Sequence, residues 1–451
     1  MEKNKYLGNN SMLVSLICVS SLVFAFLSHY TGFSLLMLMS LAIMSSGIFF
    51  LPKNNKLAIL FCALPWIQVL KLDSSQPTLY HLLYFVFIFV LLKDLKKINI
   101  ELLLFVLLLS IYVFVNRLLN QSGMEFGFIA YMLSLLFMVI LFPNLKKYYN
   151  PVLCLNLFSF GLITGFIAER IYRNIPSMYV YLSTDTYASE ATALRYAGLF
   201  NDTNITAMLV LIYLCLVLNI LENIYLSKKQ KIIIVLSALV VVFFTFFTVS
   251  KMFFLGIALI VFYTIYRNFR FLKFSKILKF SILTILLTYV SYMLGLFDSI
   301  LYRINLATDL ESLTTGRSSI IREYTKFLYN EERILFFGVG MYDRLYYQDI
   351  SSHNTFITAI YQLGIIGLVF IYIPMYFSLL REAILSLKVN RVQKNLIAPA
   401  ILGLGMMSLD ILMFVGMPIL ILITLVCFMG QLNVYEGGDH IAKNIGDCTS
   451  L

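Results

Sequence analysis

The stretch that decides the fold is residues 298–380, which read DSILYRINLATDLESLTTGRSSIIREYTKFLYNEERILFFGVGMYDRLYYQDISSHNTFITAIYQLGIIGLVFIYIPMYFSLL. Before it, the chain consists almost entirely of hydrophobic runs of helix length. Here the chain leaves that pattern for about 55 residues, far longer than an ordinary connection. The segment collects turns, arginines, acids and the dipeptide His353-Asn354, and an apolar run then resumes at Thr355. We expect the chemistry of the protein to lie in this long polar segment.

The composition of the 451 residues is that of a membrane protein. Hydrophobic residues make up 60% and charged residues 13%, whereas charged residues are about 25% of a typical soluble protein. The net charge of +11 therefore reflects lysines and arginines that set orientation in the bilayer, and no nucleic-acid partner is expected. The 6 cysteines form no C-x-x-C pair, which argues against a disulfide framework and a zinc site.

Apolar windows of about 18–20 residues predict the membrane spans. We expect an all-α polytopic membrane protein, one domain over residues 1–451, with about 12–14 transmembrane helices. The third and fourth windows are short, so they are either tilted spans or a re-entrant pair. The windows are 11–28, 32–51, 57–70, 79–92, 99–116, 124–143, 151–169, 204–223, 231–248, 251–267, 278–297, 355–380, 395–412 and 414–435.

Every second loop between these windows is basic, which predicts that those loops are cytoplasmic. Both termini are then cytoplasmic, and the two long polar segments, 170–203 and 298–354, are extracytoplasmic. The basic loops carry Lys53, Lys56, Lys93, Lys96, Lys97, Lys146, Lys147, Lys228, Lys229, Lys231, Arg267, Arg270, Lys273, Lys276, Lys279, Arg381, Lys388, Arg391 and Lys394.

The two outer segments are also cationic, and almost all of their positive residues are arginine. Planar guanidinium groups bind phosphate or pyrophosphate through two parallel hydrogen bonds. The arginines therefore form either an anion site or a solvated surface. They are Arg170, Arg173, Arg195, Arg303, Arg317, Arg322, Arg333 and Arg344, with Lys326 beside them.

The sequence TTGRSS at 314–319 precedes an amphipathic stretch in the second outer segment. Its apolar residues recur at helical spacing, and Arg322 lies on the polar side. Hydroxyls, a glycine and Arg317 at a helix start favour an anion; the alternative is an ordinary Ser/Thr cap. The apolar side is expected to lie against the membrane face.

Four further polar residues stand at the ends of apolar spans. His353 opens span twelve, where it is either a capping residue or a neutral base near pH 7. Arg195 precedes span eight and is either an anion ligand or an interfacial side chain. Lys251 lies in a tight outer turn, and Asp410 either marks a site or simply ends the last hairpin.

These stretches together resemble the O-antigen ligase and polymerase superfamily of bacterial surface-polysaccharide enzymes. The matching motifs are RYAGLFNDTN (195–204), SK (250–251), TGR (315–317), GVG (338–340) and SHNTFITAIYQLGIIGL (352–368). The last is the most specific of them, and the similarity covers about residues 195–380. The family often has arginine where this chain has Lys251, which keeps the charge but loses the bidentate fork.

The resemblance implies a glycosyltransferase of the bacterial cytoplasmic (inner) membrane. It would transfer a glycan from a polyprenyl pyrophosphate to an acceptor hydroxyl outside the membrane, as in O-antigen, lipopolysaccharide or capsule biosynthesis. Arg195, Lys251, Arg317 and Arg322 would hold the pyrophosphate, and His353 would contact or deprotonate the acceptor hydroxyl. Arg195, Arg317 and His353 are thus the expected catalytic residues.

No cofactor and no metal are expected, because the outer loops lack D-x-D and the chain lacks H-E-x-x-H and Walker patterns. A single-base site without paired carboxylates favours inversion at the anomeric carbon. The expected partners are the lipid-linked oligosaccharide and membrane lipids, with the flippase and the chain-length regulator of the same pathway as candidate protein partners.

Three functions fit this sequence, and we favour a repeat-unit polymerase. An O-antigen ligase would hand the glycan to lipid A-core or another surface acceptor. A lipid-linked oligosaccharide flippase is the third, although it would be expected to show internal repeats and charges within its spans. The sequence does not show the acceptor, the sugars or the linkage.

Overall fold

A computed structural model describes residues 2–93, 98–120, 126–182, 197–200, 202–268, 317–341, 352–386, 395–412 and 414–429. These residues form helices and connecting turns, and no strand occurs among them. The principal helices are α1 (Glu2–Thr31), α2 (Leu35–Phe50), α3 (Lys53–Ala63), α4 (Tyr80–Leu92), α5 (Ile100–Leu119), α6 (Phe126–Leu141), α7 (Pro151–Asn174), α8 (Thr203–Asn223), α9 (Lys228–Phe246), α10 (Lys251–Asn268), α11 (Arg317–Asn330), α12 (Glu332–Phe337), α13 (Thr355–Gly367), α14 (Ile373–Ser386), α15 (Ile397–Ser408) and α16 (Met417–Met429).

Among the described helices, seven are long and apolar enough to cross a membrane. They are Ser11–Thr31, Ile100–Leu119, Phe126–Tyr148, Pro151–Asn174, Thr203–Asn223, Lys228–Phe246 and Thr355–Leu385. Four shorter apolar helices accompany them: Leu35–Phe50, Tyr80–Leu92, Ile397–Ser408 and Met417–Met429. The prediction of an all-helical membrane protein is confirmed, while the total of 12–14 spans stays a prediction. The predicted span 278–297 lies outside the described residues.

Helix α3 is the centre of the helix bundle. Its side chains from Leu57 to Ala63 are fully buried, and it packs closely against α7. Gly161 of α7 lies directly on the carbonyl oxygen of Cys62, where any Cβ would collide with it. Small residues at such crossings let membrane helices approach closely, so the sequence of α7 is fitted to the buried helix α3.

Contacts between loops divide the bundle into two ends. At one end, Lys56 Nζ donates to the carbonyl of Ile48 at 2.6 Å, and ion pairs join Arg267 to Glu222 and Arg381 to Glu101. At the other end, which we call the site end, hydrogen bonds join residues 29 and 71, 120 and 339, 204 and 250, and 354 and 407.

The described parts of the segments 170–203 and 298–354 make contacts at the site end, through Ala197 and Val339. Which end faces the cytoplasm, where the termini lie and whether the two segments are extracytoplasmic stay predictions. The short third window, 57–70, runs from Lys56 at one end to Lys71 at the other. It therefore crosses between the ends.

The predicted span 355–380 is one helix by length but is broken inside. Gly364 has φ 66° and ψ 171°, and a π-helical turn, Leu368–Tyr372, separates α13 from α14. The break frees carbonyl groups that must find donors inside a membrane protein. The hydroxyl of Tyr112 in α5 donates to the carbonyl of Leu363 at 2.8 Å, so another helix supplies one of the missing donors.

Candidate functional site

The amphipathic helix of the long polar segment is α11, and it packs on protein. Tyr324 and Leu328 are buried, and the ring of Tyr324 meets the ring of Tyr361 in α13 edge-on, with centroids 5.3 Å apart. Phe327 touches Tyr361 in the same way at 5.9 Å. The expectation that the apolar side lies against the membrane face is therefore wrong, because α13 offers the helix an aromatic surface.

The GVG turn fixes α11 and α12 to the broken helix. The N–H groups of Val339 and Gly340 donate to the carbonyls of Tyr361 and Gln362 at 3.0 and 2.9 Å. Gly338 has φ 76° and lies so close to the carbonyl of Gln362 that a Cβ would collide with it. The break at α13 and the glycine turn are thus complementary.

A polar stripe on α5 holds the same turn from the other side. Asn116 Nδ2 donates to the carbonyl of Phe337 at 2.6 Å, and Asn120 Nδ2 donates to the carbonyl of Val339 at 3.1 Å. The buried Arg117 donates to the carbonyl of Met341. This stripe lies at and just beyond the end of the predicted span 99–116. Its hydrogen bonds show that it holds the glycine turn, which the sequence alone did not indicate.

His353 stands at the start of α13 in a constrained backbone. It is half-buried and has φ 50°, a conformation that non-glycine residues rarely adopt and that is often found at functional sites. The following Asn354 caps α13, because its Oδ1 accepts from the N–H groups of Phe356 and Ile357 at 3.0 and 3.2 Å. Cap and conformation together fix the backbone that carries the imidazole.

The hairpin between α15 and α16 supports this segment. Thr355 Oγ1 donates to the carbonyl of Leu409 at 2.7 Å and accepts from the N–H of Ile411 at 3.0 Å. Thr358 Oγ1 donates to Asp410 Oδ2 at 3.0 Å. Asp410 therefore belongs both to the hairpin and to the hydrogen-bonded network that reaches Ser352, the neighbour of His353, through Thr358.

The N-termini of α8 and α10 meet beside this hairpin. Asp202 caps α8 by accepting from the N–H of Asn204 at 2.7 Å, and Asn204 Oδ1 accepts from Ser250 Oγ at 2.9 Å. Lys251, the next residue, is exposed and begins α10. Ser408 Oγ donates to the sulfur of Met252 at 3.1 Å, which ties the Lys251 turn to the hairpin below His353.

The predicted cationic site residues differ in their position relative to the N-terminus of α8. Arg317, the first described residue of α11, is half-buried; burial lowers its pKa, and the nearby charge of Asp202 raises it. Arg317 therefore lies near the N-terminus of α8. Arg322 is exposed further along α11, and its role in the site stays a prediction. Arg195 lies outside the described residues.

Glu169 is a residue of this region that sequence reasoning missed. It is 1% exposed, and its carboxylate accepts from the N–H groups of Ala197 and Gly198 at 2.7 and 2.8 Å. Arg173 Nε donates to the same carboxylate at 3.0 Å. Glu169 thus holds the segment that leads to Asp202. The signal was an acid inside an apolar run, four residues before an arginine.

The arrangement brings Lys251, Arg317 and His353 to neighbouring segments at one end of the bundle. Helix N-termini carry partial positive charge, so the ends of α8 and α10 add to the field of the cations. Among the described residues, no group of three or more His, Cys, Asp or Glu side chains could hold a metal ion. The place is suited to bind an anion beside a nitrogen base.

An apolar groove of about 380 Å³ begins at this place. Thr355, Phe356 and Leu412 form its end near His353, and it extends between α14 and α16 towards Leu380 and Leu425. It therefore joins the cationic end of the bundle to the apolar flank of the helices.

No protein-family model, no curated protein and no solved structure matches this chain. The family resemblance therefore rests on the motifs of the sequence alone.

Proposed function

We propose that the protein is a bacterial inner-membrane polymerase of polyprenyl-pyrophosphate-linked oligosaccharide repeat units. It transfers the growing glycan from its lipid carrier to a hydroxyl of the next lipid-linked unit, outside the membrane. The observation that supports the proposal is that contacts join the segments of Lys251, Arg317 and His353. Ser250 donates to Asn204, Ser408 donates to Met252 and Asn354 donates to the carbonyl of Met407, while the charge of Asp202 acts on Arg317. The sequence resemblance assigns Lys251, Arg317 and His353 to the donor and the acceptor.

The reaction needs few groups from the protein. The acceptor oxygen attacks the anomeric carbon, the bond from that carbon to the pyrophosphate oxygen breaks, and the electron pair leaves with the pyrophosphate. Arg317, Lys251 and the helix N-termini stabilise the charge that develops there, as fixed dipoles and cations do in active sites. The proton of the hydroxyl passes to His353. Attack from the face opposite the leaving group inverts the anomeric centre.

The apolar groove at Thr355 supports a lipid-linked donor. Thr355, two residues from His353, lines it, and the rest of its lining is formed almost entirely by aliphatic and aromatic side chains of α13, α14, α15 and α16. An isoprenoid chain in this groove with its pyrophosphate at the Thr355 end would place the pyrophosphate at the site end.

Variants of His353 and Arg317 test the proposal with purified lipid-linked repeat units. We expect His353→Ala to slow polymer formation by about 10²–10⁴-fold, the usual contribution of a general base. Arg317→Ala should lose about 10²-fold or more, and Arg317→Lys should stay impaired because a point charge cannot make two parallel hydrogen bonds. Lys326→Ala, an exposed cation on the same helix, is the matched control.

The products distinguish the rival functions. Accumulation of single lipid-linked repeats in a deletion strain supports a polymerase, whereas accumulation of unligated polymer identifies a ligase. Absence of any extracytoplasmic product identifies a flippase. Normal elongation rates in both His353→Ala and Arg317→Ala would show that the active site lies elsewhere. A His353→Gln variant with near-normal rate would limit His353 to positioning the hydroxyl.

A further inference from the structure

A second cation is buried at the site end, away from the residues discussed above. Lys71 is 7% exposed, and among the residues that the structure describes none forms a hydrogen bond or a salt bridge with its ammonium group. The carboxylate of Asp73, two residues on, accepts through Oδ1 from the N–H and the hydroxyl of Ser75, at 3.0 and 2.8 Å, and within the described part of the chain it forms no ion pair with Lys71. An ammonium group has three donors and no acceptor, so this position favours an anionic ligand.

The backbone around Lys71 is held rigidly. His29 Nε2 makes a hydrogen bond with the carbonyl of Lys71 at 3.1 Å, and His29 Nδ1 makes one with the hydroxyl of Tyr172 at 2.7 Å. The imidazole also stacks on the ring of Tyr181, with centroids 3.7 Å apart and planes 16° from parallel. Three segments of the chain therefore hold the backbone from which the Lys71 side chain extends.

A second apolar groove lies next to this cluster. It has a volume of about 250 Å³ and lies between α1 and α7, with Trp66 on its wall. Leu27 and Ile171 line it, and they are two residues from His29 and one from Tyr172. Phe26 lines the groove, and its ring contacts that of Tyr172 with centroids 6.0 Å apart. A cation and an apolar groove on one cluster have the chemistry of a site for a lipid with an anionic head.

We propose that Lys71 and this groove bind the pyrophosphate and the first isoprenoid units of a second lipid-linked substrate, the acceptor. The assignment of that lipid as the acceptor rests on the proposed function, because a polymerase uses two lipid-linked units and a ligase with a different acceptor does not. The two sites are connected through α7: Tyr172 belongs to the Lys71 cluster, and Glu169, three residues earlier, holds the segment that leads to Asp202.

Binding of farnesyl pyrophosphate to the purified full-length protein in detergent tests the proposal. We expect two equivalents to bind to the parent protein. Lys71→Met and Arg317→Ala should each lose one equivalent, with at least a tenfold rise in its Kd, and the double variant should lose both. Lys71→Arg should keep both equivalents. Lys229→Met, an exposed lysine at the start of α9, is the matched control and should also bind two.

The outcomes separate this proposal from the function above. If Lys71→Met keeps both equivalents, the second site is wrong while the Arg317 site stands. If Arg317→Ala keeps the parent stoichiometry and Lys71→Met loses one equivalent, the donor assignment is wrong and the Lys71 site stands. The Arg317-dependent equivalent also serves as the fold control for Lys71→Met.

Competing ligands identify what the Lys71 site recognises. Farnesol should not displace farnesyl pyrophosphate, and inorganic pyrophosphate should do so more weakly than farnesyl pyrophosphate itself. Equal affinity for inorganic pyrophosphate would overturn the role of the groove. Equal affinity for phosphatidylglycerol would make the site one for ordinary membrane lipid and would overturn the assignment to a substrate.

Discussion

The carboxylate of Glu169 offers the most direct test of how the site is held together. It accepts two backbone N–H groups, from Ala197 and Gly198, and pairs with Arg173. Glu169→Gln keeps the shape of the side chain but removes the charge. One of its two carboxylate oxygens becomes an NH₂ group. That NH₂ group is a donor, and it then faces a backbone N–H that needs an acceptor. The segment 197–198 should therefore detach more easily.

The size of the effect follows from these contacts. A buried donor left without a partner costs about 1–3 kcal/mol, and the ion pair with Arg173, which is partly exposed, adds at most about 1 kcal/mol. The free energy that keeps the segment closed should thus fall by about 1–4 kcal/mol. Since each 1.36 kcal/mol is a factor of ten, the open population should rise by about 5- to 900-fold.

Maleimide labelling of a cysteine at residue 197 measures this population. Ala197 is 3% exposed, so the thiol of an Ala197→Cys protein should react only when the segment opens. Site-resolved mass spectrometry gives the rate despite the native cysteines. Glu222→Gln is the matched control, because Glu222 also pairs with an arginine, Arg267, at the other end of the bundle.

The expected result is faster labelling in Glu169→Gln and an unchanged rate in Glu222→Gln, together with slower polymer formation in Glu169→Gln. Equal labelling rates in Glu169→Gln and the parent would refute the role given to the carboxylate. An equal rise in both Glu variants would show a general loss of stability and no local opening.

Two further predictions concern the broken helix and the topology. Gly364→Ala should lower the thermal midpoint in detergent, because Gly364 has φ 66° and its Cβ would collide with the carbonyl of Phe336. The strain should be about 1–3 kcal/mol, and Gly403→Ala, with open space around its Cβ, should not lower the midpoint. Ser189→Cys and Asp309→Cys should react with an impermeant maleimide in intact cells or spheroplasts; reaction only after lysis would reverse the predicted orientation.

Most helices could be located from the sequence because a run of apolar residues is required by the bilayer itself. Thirteen of the fourteen windows coincide with described helices. The break at Gly364 could not be predicted in the same way. It is stabilised by Tyr112 and by the turn at Val339, which lie far away in the sequence. Hydropathy reports only the composition of a helix and contains no information about such partners.

Some of the candidate site residues could likewise be recognised from the sequence, whereas others became visible only with the fold. Lys251 and His353 stood out because charged or titratable residues next to apolar runs need an explanation, and Arg317 stood out at the start of a predicted amphipathic helix. Glu169 was hidden inside the predicted span 151–169, and its partners became visible only with the fold. The membrane-facing orientation expected for α11 failed for a related reason. The sequence shows that one side of a helix is apolar but does not show which surface covers it, here Tyr361 of α13.

The proposed metal-free transfer depends on groups that are already in place before the leaving group departs. In this protein, neighbouring side chains hold the segments that carry these groups. Ser250, bonded to Asn204, fixes the turn that carries Lys251, and the cap at Asn354 fixes the backbone beside His353. Substitution of these uncharged neighbours should therefore lower the rate of transfer with little change in donor affinity. Loss of a cation itself should lower both the rate of transfer and the affinity for the donor.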